Sequence, residues 1–252
     1  MWRRAPNGFF IVLLLGLAAC AWAQTPVAVP RVSVQVGTAQ NPKDVAVTLQ
    51  VLILMTLLTL APALLIMTTA FTRIVIVLSF LRTAIGTPTI PPNQVVIGIS
   101  LFLTFFVMAP VFNDINRNAL QPYLDNRISF QQALSNAEKP LRAFMLRQTY
   151  EKDLQLFINL SKPKQPPRTP DDVPITTVIP AFILSELKTA FIIGFYIYIP
   201  FLIIDLFVAS TLMSMGMMML PPIVISLPFK LLVFIMANGW TLLIGSLAAG
   251  FK

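Results

Sequence analysis

Met213-Ser214-Met215-Gly216-Met217-Met218-Met219-Leu220-Pro221-Pro222 interrupts the last apolar region of the chain and puts five of its eleven methionines into seven residues. Thioether side chains are unbranched and polarisable, so they repack around partners of different shape. Gly216 frees the backbone, and Pro221 and Pro222 stop a helix arriving from the N-terminal side. The run therefore reads as a compliant apolar loop, suited to closing against itself and yielding to variable polypeptide. The plainer alternative is a membrane turn that happens to be apolar. On either reading it divides residues 175–251, which are too long for one crossing, into a third apolar segment over 183–212 and a fourth over 223–247.

Outward from this turn, the composition sets the class. The chain is 56% hydrophobic and 11% charged, with a mean hydropathy of +0.79, which describes a membrane protein. A first span is expected over 46–69, kinked at Pro62, and a return span over 93–112. Thr72 to Leu81 reads as a helical extension at the cytoplasmic interface, ending at Gly86-Thr87-Pro88. Arg73 and Arg82 flank it without an acidic neighbour in sequence, so both read as topology signals by the positive-inside rule. The fold expected is all-α: a multi-pass protein of about four apolar helices arranged as hairpins, forming one domain over 46–252. Both termini lie outside, and the methionine loop lies inside with the two arginines.

Residues 114–174 hold nine Lys/Arg and seven Asp/Glu and form a polar periplasmic region. Leu134, Leu141, Phe144, Met145, Leu154, Phe157 and Ile158 recur at helical spacing, so packed helices are expected there, followed by a proline-rich connector over 162–174. At the other end of the chain, Arg3 and Arg4 precede an apolar run, and Ala21-Trp22-Ala23 supplies a small-x-small pattern. Residues 1–23 read as a cleaved signal peptide and 24–45 as a flexible periplasmic tail. Leu17-Ala18-Ala19-Cys20 offers the competing reading of a lipoprotein cleavage box. Cys20 is the one cysteine, and its loss with the signal would leave no thiol for disulfides or metal.

The charges inside the apolar segments carry the next inference. Glu186, Lys188, Asp205 and Lys230 each cost roughly 2.5–3.5 kcal/mol at the centre of a membrane helix unless paired or wetted. Glu186 and Lys188 point about 160° apart on a helix, so each is expected to pair across an interface. Buried ion pairs that fix oligomer packing, or a proton relay, would account for all four. Catalysis meets a composition barrier: without histidine, Ser-His and Cys-His dyads and HExxH zinc sites are impossible. A single intramembrane aspartate, Asp205, does not make an aspartyl protease, and no GxxxxGK[ST] loop is present. No enzyme activity, metal, cofactor or nucleic-acid partner is expected.

Longer motifs then bring in a family. Pro180-Ala181-Phe182-Ile183-Leu184-Ser185-Glu186-Leu187, with Ala190-Phe191 and Ile193-Gly194-Phe195, resembles a signature of the flagellar FliP family. Pro200-Phe201-Leu202-Ile203-Ile204-Asp205-Leu206, Val208-Ala209-Ser210-Thr211-Leu212 and Met215 to Met219 resemble a second signature and its methionine loop. Phe71-Thr72-Arg73-Ile74, Arg82-Thr83-Ala84-Ile85-Gly86 and Leu227-Pro228-Phe229-Lys230 extend the likeness over about residues 45–251. Ile192 and Phe207 depart from the usual pattern, which has a polar residue and a valine there. The resemblance implies a core subunit of a type III protein export gate in the bacterial inner membrane, within the flagellar basal body. It further implies about five copies assembled with FliQ and FliR, joined by FlhA and FlhB, with unfolded flagellar proteins passing through the centre. Met217, Met218 and Met219 would then form a gasket around that path. It also implies that not every apolar segment need meet lipid. Virulence-type injectisome gates share much of the pattern, the signal peptide and tail favouring the flagellar branch. From other classes, a small proton-coupled transporter using Glu186 or Asp205, or a passive scaffold, stay open.

Overall fold

Phe71, Ile74, Val77, Leu78, Leu81, Ala84 and Ile85 recur at spacings of three and four, which gathers them on one side of a helix. All seven are buried. In the computed structural model of the chain, which describes residues 42–163, 167–217 and 219–251, this helix is the centre of the fold. It is the second of nine α-helices among the described residues, which contain no strand. The expected signal peptide over 1–23, Cys20, most of the tail over 24–45 and Met218 lie outside them.

Helix α1, Pro42–Met67, contains Pro62, and from Ile53 to Met67 every described side chain except Ala61 is exposed. From Ile53 onward the chain forms one compact unit. The buried residues Thr68, Thr69 and Ala70 lead into α2, Phe71–Ile85. Gly86 ends α2 in the left-handed region (φ 91°), with its N–H bonded to Thr83 O and the Thr87 N–H bonded to Arg82 O. This paired closure needs a residue that tolerates positive φ, and glycine does so without steric cost.

Helix α3, Asn93–Ile115, continues through a π-turn at Asn116–Leu120 into α4, Gln121–Leu124, as one apolar stretch of 32 residues. Val96, Ser100, Thr104, Met108 and Val111 form its buried stripe, and the two hydroxyls are satisfied by carbonyls one turn back. Phe102, Phe105 and Phe106 stand exposed on its outer face. The polar region folds as expected into two helices, α5 (Phe130–Gln148) and α6 (Glu151–Ser161). Ser129 begins α5 with a reciprocal capping box to Gln132. Phe144, Met145 and Leu154 are buried against the core, with Phe144 meeting Phe182 edge-on at 5.9 Å, whereas Leu134 is exposed.

Helix α7, Ile175–Ser214, has 40 residues, about 60 Å at 1.5 Å per residue. Helices α2, α5 and α6 pack on it. Its Gly194 lies under Phe80 so closely that a Cβ there would fall 2.6 Å from the ring. After the methionine turn come α8, Pro222–Met236, and α9, Gly239–Ala249. Among the described residues three helices are long and apolar enough to cross a membrane, or four if the α8–α9 pair counts as one span.

Two expectations are corrected. The fourth segment, 223–247, is not one helix: it bends by 63° between α8 and α9, where Asn238 adopts the left-handed region (φ 51°). At about 22 and 16 Å, neither half alone crosses a hydrocarbon layer of about 30 Å. The second correction concerns α2, which is a packed core helix and not an extension at the interface. Arg73 donates from Nη2 to Gln148 Oε1 at 3.0 Å and from Nη1 to Gly250 O at 3.2 Å. Gln148 and Gly250 belong to the parts expected outside and Arg73 to those expected inside, yet the three meet, so these expected sides do not hold together. Arg82 lies about 13 Å further along α2, beside Asn93 at the start of α3.

Candidate functional site

Every charge singled out on α7 finds a partner within the chain. Glu186, fully buried, receives the guanidinium of Arg73 as a fork: Nε donates to Oε2 at 2.8 Å, and Nη2 donates to Oε1. Planar two-point pairing of this kind is the strongest geometry open to arginine and carboxylate. The Arg73 carbon Cζ also sits 4.0 Å above the Phe251 ring, which stacks on Phe144. Arg73 thus ties α2 to α5, α7 and the segment after α9.

Lys188 faces away from this cluster, as its spacing requires, and pairs with Asp153 of α6. Asp153 is buried, and its second oxygen accepts a hydrogen bond from Ser185 Oγ at 2.8 Å. Ser185 in turn accepts the backbone N–H of Tyr150 at 3.0 Å, just before α6 begins. Burial pushes the Asp153 carboxyl up, but the Lys188 ammonium and the Ser185 hydroxyl outweigh it and hold the group below its ordinary value of 3.8.

Further along α7, Asp205 takes Lys230 Nζ of α8 at 2.6 Å and Ser226 Oγ at 2.5 Å. Lys230 also donates to the Ala84 carbonyl of α2 at 3.2 Å. Glu186 and Lys188, each expected to pair across an interface, meet Arg73 and Asp153, far off in sequence, across helix contacts inside one chain. Sequence reasoning missed Gln148, Asp153, Ser185 and Ser226. Ser226 alone carried a local signal, lying four residues before Lys230 and so on the same helix face. Asp153 had none, being one acid among many in a polar stretch.

The methionine run forms the tip of the α7–α8 hairpin. Gly216 (φ 74°) closes α7 much as Gly86 closes α2, with its N–H on Met213 O and the Met217 N–H on Leu212 O, both at 3.0 Å. The glycine thus ends α7 at Ser214, seven residues before the first proline. Pro221 and Pro222 instead start α8, where a missing N–H costs nothing. Met213, Met215, Met217 and Met219 are all exposed, Met219 at 98%. Exposed thioethers on a two-helix arm can fill an opening or line a passage, and they supply no acid or base. Among the described residues no three His, Cys, Asp or Glu side chains are grouped to hold a metal.

Comparison with known proteins agrees with this arrangement of motifs. Residues 54–247 match the FliP family. The chain is 54% identical over 218 residues to the flagellar biosynthetic protein FliP of Bacillus subtilis, covering 86% of this chain and 98% of that one. It is 52% identical to the protein of the same name from Pectobacterium carotovorum, over 94% of this chain and 90% of the relative. The Aquifex aeolicus protein of that name is 49% identical, over 89% and 92%.

Proposed function

The chain belongs to the FliP family, and from that premise we propose that it is a channel-forming core subunit of the flagellar type III export gate. In this reading about five copies assemble with FliQ and FliR in the bacterial inner membrane, within the flagellar basal body. FlhA and FlhB join them, and unfolded flagellar proteins cross through the centre. The chain catalyses no reaction and needs no cofactor.

The observation that carries the reading is the exposed methionine turn at the tip of a helical hairpin. The exposure of its described methionines supports contact with the same tip of neighbouring copies. Narrow rings of apolar side chains exclude water and ions by dewetting, and flexible ones part for a peptide. The buried pairs of α7 support a structural role for its charges, because both oxygens of Glu186 are held by Arg73. That arrangement favours packing over the proton relay of a small transporter. The flagellar names of the relatives favour that branch over the injectisome one.

Cryo-electron microscopy of the chain co-purified with FliQ and FliR tests the proposal. A ring of about five copies with the residues 213–219 turns converging on its axis is the expected result. Turns directed outward into lipid would overturn the channel role.

A further inference from the structure

Arg82 presents a chemistry that no charge among the described residues answers. Its Nη1 donates to Asn93 Oδ1 at 2.6 Å and to Pro91 O at 3.3 Å, both neutral acceptors. Its Nε is buried and is the one buried side-chain polar atom without a hydrogen-bond partner among the described residues. An unpaired buried donor is rare in native folds and calls for an occupant. The free edge, Nε with Nη2, is the edge through which arginine grips two oxygens of a carboxylate or phosphate.

Arg82 lines a crevice of about 480 Å³ between α2, the turn at residues 87–91, the start of α3, and the α8–α9 arm. Leu78, Ile85, Val96, Leu231 and Phe234 supply hydrocarbon walls, and Arg82 is the one charged side chain lining it. Ile90 and Trp240 line it too and are exposed, and aromatic side chains such as Trp240 favour the boundary between hydrocarbon and headgroups. A volume in the roughly 300–1,000 Å³ range suits a ligand site. A small free anion would leave such a crevice unfilled, and a neutral hydrocarbon would leave the guanidinium unanswered.

We infer that this crevice binds an anionic phospholipid, with an acyl chain between α2 and α8 and phosphate oxygens at the guanidinium of Arg82. Two of its walls, α3 and the α8–α9 pair counted as one span, are long and apolar enough to cross a bilayer, so the ligand is ambient. Basic pockets between membrane helices take anionic headgroups in just this manner. The inference does not depend on the export role.

Native mass spectrometry of the full chain in detergent, titrated with phosphatidylglycerol or with phosphatidylcholine of the same acyl chains, tests it. The unaltered protein should hold one phosphatidylglycerol at least roughly fivefold more tightly than phosphatidylcholine, the scale of one basic contact. Arg82→Gln should remove that preference and leave phosphatidylcholine binding unchanged. Arg82→Lys, which keeps the charge without the fork, should give an intermediate preference even if the glutamine variant fails to fold. Leu231→Trp fills the crevice and should abolish binding of both lipids with Arg82 intact. Equal binding of the two lipids by the unaltered protein overturns the inference. So does preferential binding that survives Leu231→Trp, or a lipid displaced whenever copies of the chain associate.

Discussion

Arg73 and Glu186 stand 113 residues apart in sequence and meet as a two-point ion pair from which solvent is excluded. The pair joins the central helix to the longest one, and a third helix and the chain's end converge on the same guanidinium. Desolvation makes such a pair costly to form, and breaking it from one side is worse, because the remaining charge is stranded.

The first prediction concerns that asymmetry. Glu186→Ala leaves Arg73 buried without a counter-charge and should cost about 3–5 kcal/mol of stability. The double variant Arg73→Met, Glu186→Leu should be milder than Glu186→Ala alone. Denaturation in detergent, followed by tryptophan fluorescence, measures both. A double variant less stable than the single one would show that the charge pair itself, and not the relief of a stranded charge, dominates.

Asp153 leads to a prediction in pH. Its carboxyl is held below the ordinary 3.8 in the folded chain, so it contributes stability above the unfolded value. That contribution falls away as pH drops from about 3.8 through the depressed folded value. Amide protection at the start of α6, taken relative to the intrinsic exchange rate at each pH, should therefore fall over this acid window and stay flat above it. In Asp153→Asn the acid-dependent step should vanish.

Converting Met217, Met218 and Met219 together to alanine removes most of the loop's side-chain volume while Gly216, Pro221 and Pro222 keep its shape. The proposed gate should still assemble but leak ions, seen as slowed growth and added conductance in producing cells. Leucine at the three positions keeps volume but stiffens the lining, so export should fall more than closure does. A triple-alanine complex that assembles and does not leak would mean that the loop is only an apolar turn.

Cysteine labelling tests the arrangement across the bilayer. Thr89 precedes α3, and Ser161 ends α6 beyond the far end of the 32-residue α3–α4 stretch. Cysteines at these exposed positions should react with impermeant reagents from opposite sides, Thr89 from the cytoplasm and Ser161 from the periplasm. Labelling of both from one side would mean that the stretch does not cross.

Local chemistry made much of this fold legible. Gly86 and the residues 87–88 that follow it marked the end of α2, the helical spacing of Leu141, Phe144, Met145 and Leu154 marked helices in the polar region, and the methionine run marked the α7–α8 tip. Pairing was not legible, because it depends on residues brought together from far away. Arg73 looked like a topology signal since its counter-charge lies on another helix, and Asp153 looked like one more surface acid. The α8–α9 bend was missed because hydropathy stays high across it. Asn238-Gly239 was the available clue, a dipeptide that favours left-handed backbone and breaks helices.

The Arg73 junction also sets a schedule for biosynthesis. At about 5–20 residues per second, a ribosome that has finished Arg73 needs roughly 6–20 s more to reach Glu186, and must reach Gly250 before the last acceptor exists. Throughout that interval the guanidinium lacks Glu186, the carboxylate that holds it in the finished fold. Water, lipid headgroups or the insertion machinery must hold it until α7 arrives. Helix α2 can therefore settle into its final place only after most of the chain has been translated, so a message truncated before Glu186 yields a fragment that cannot complete its own core.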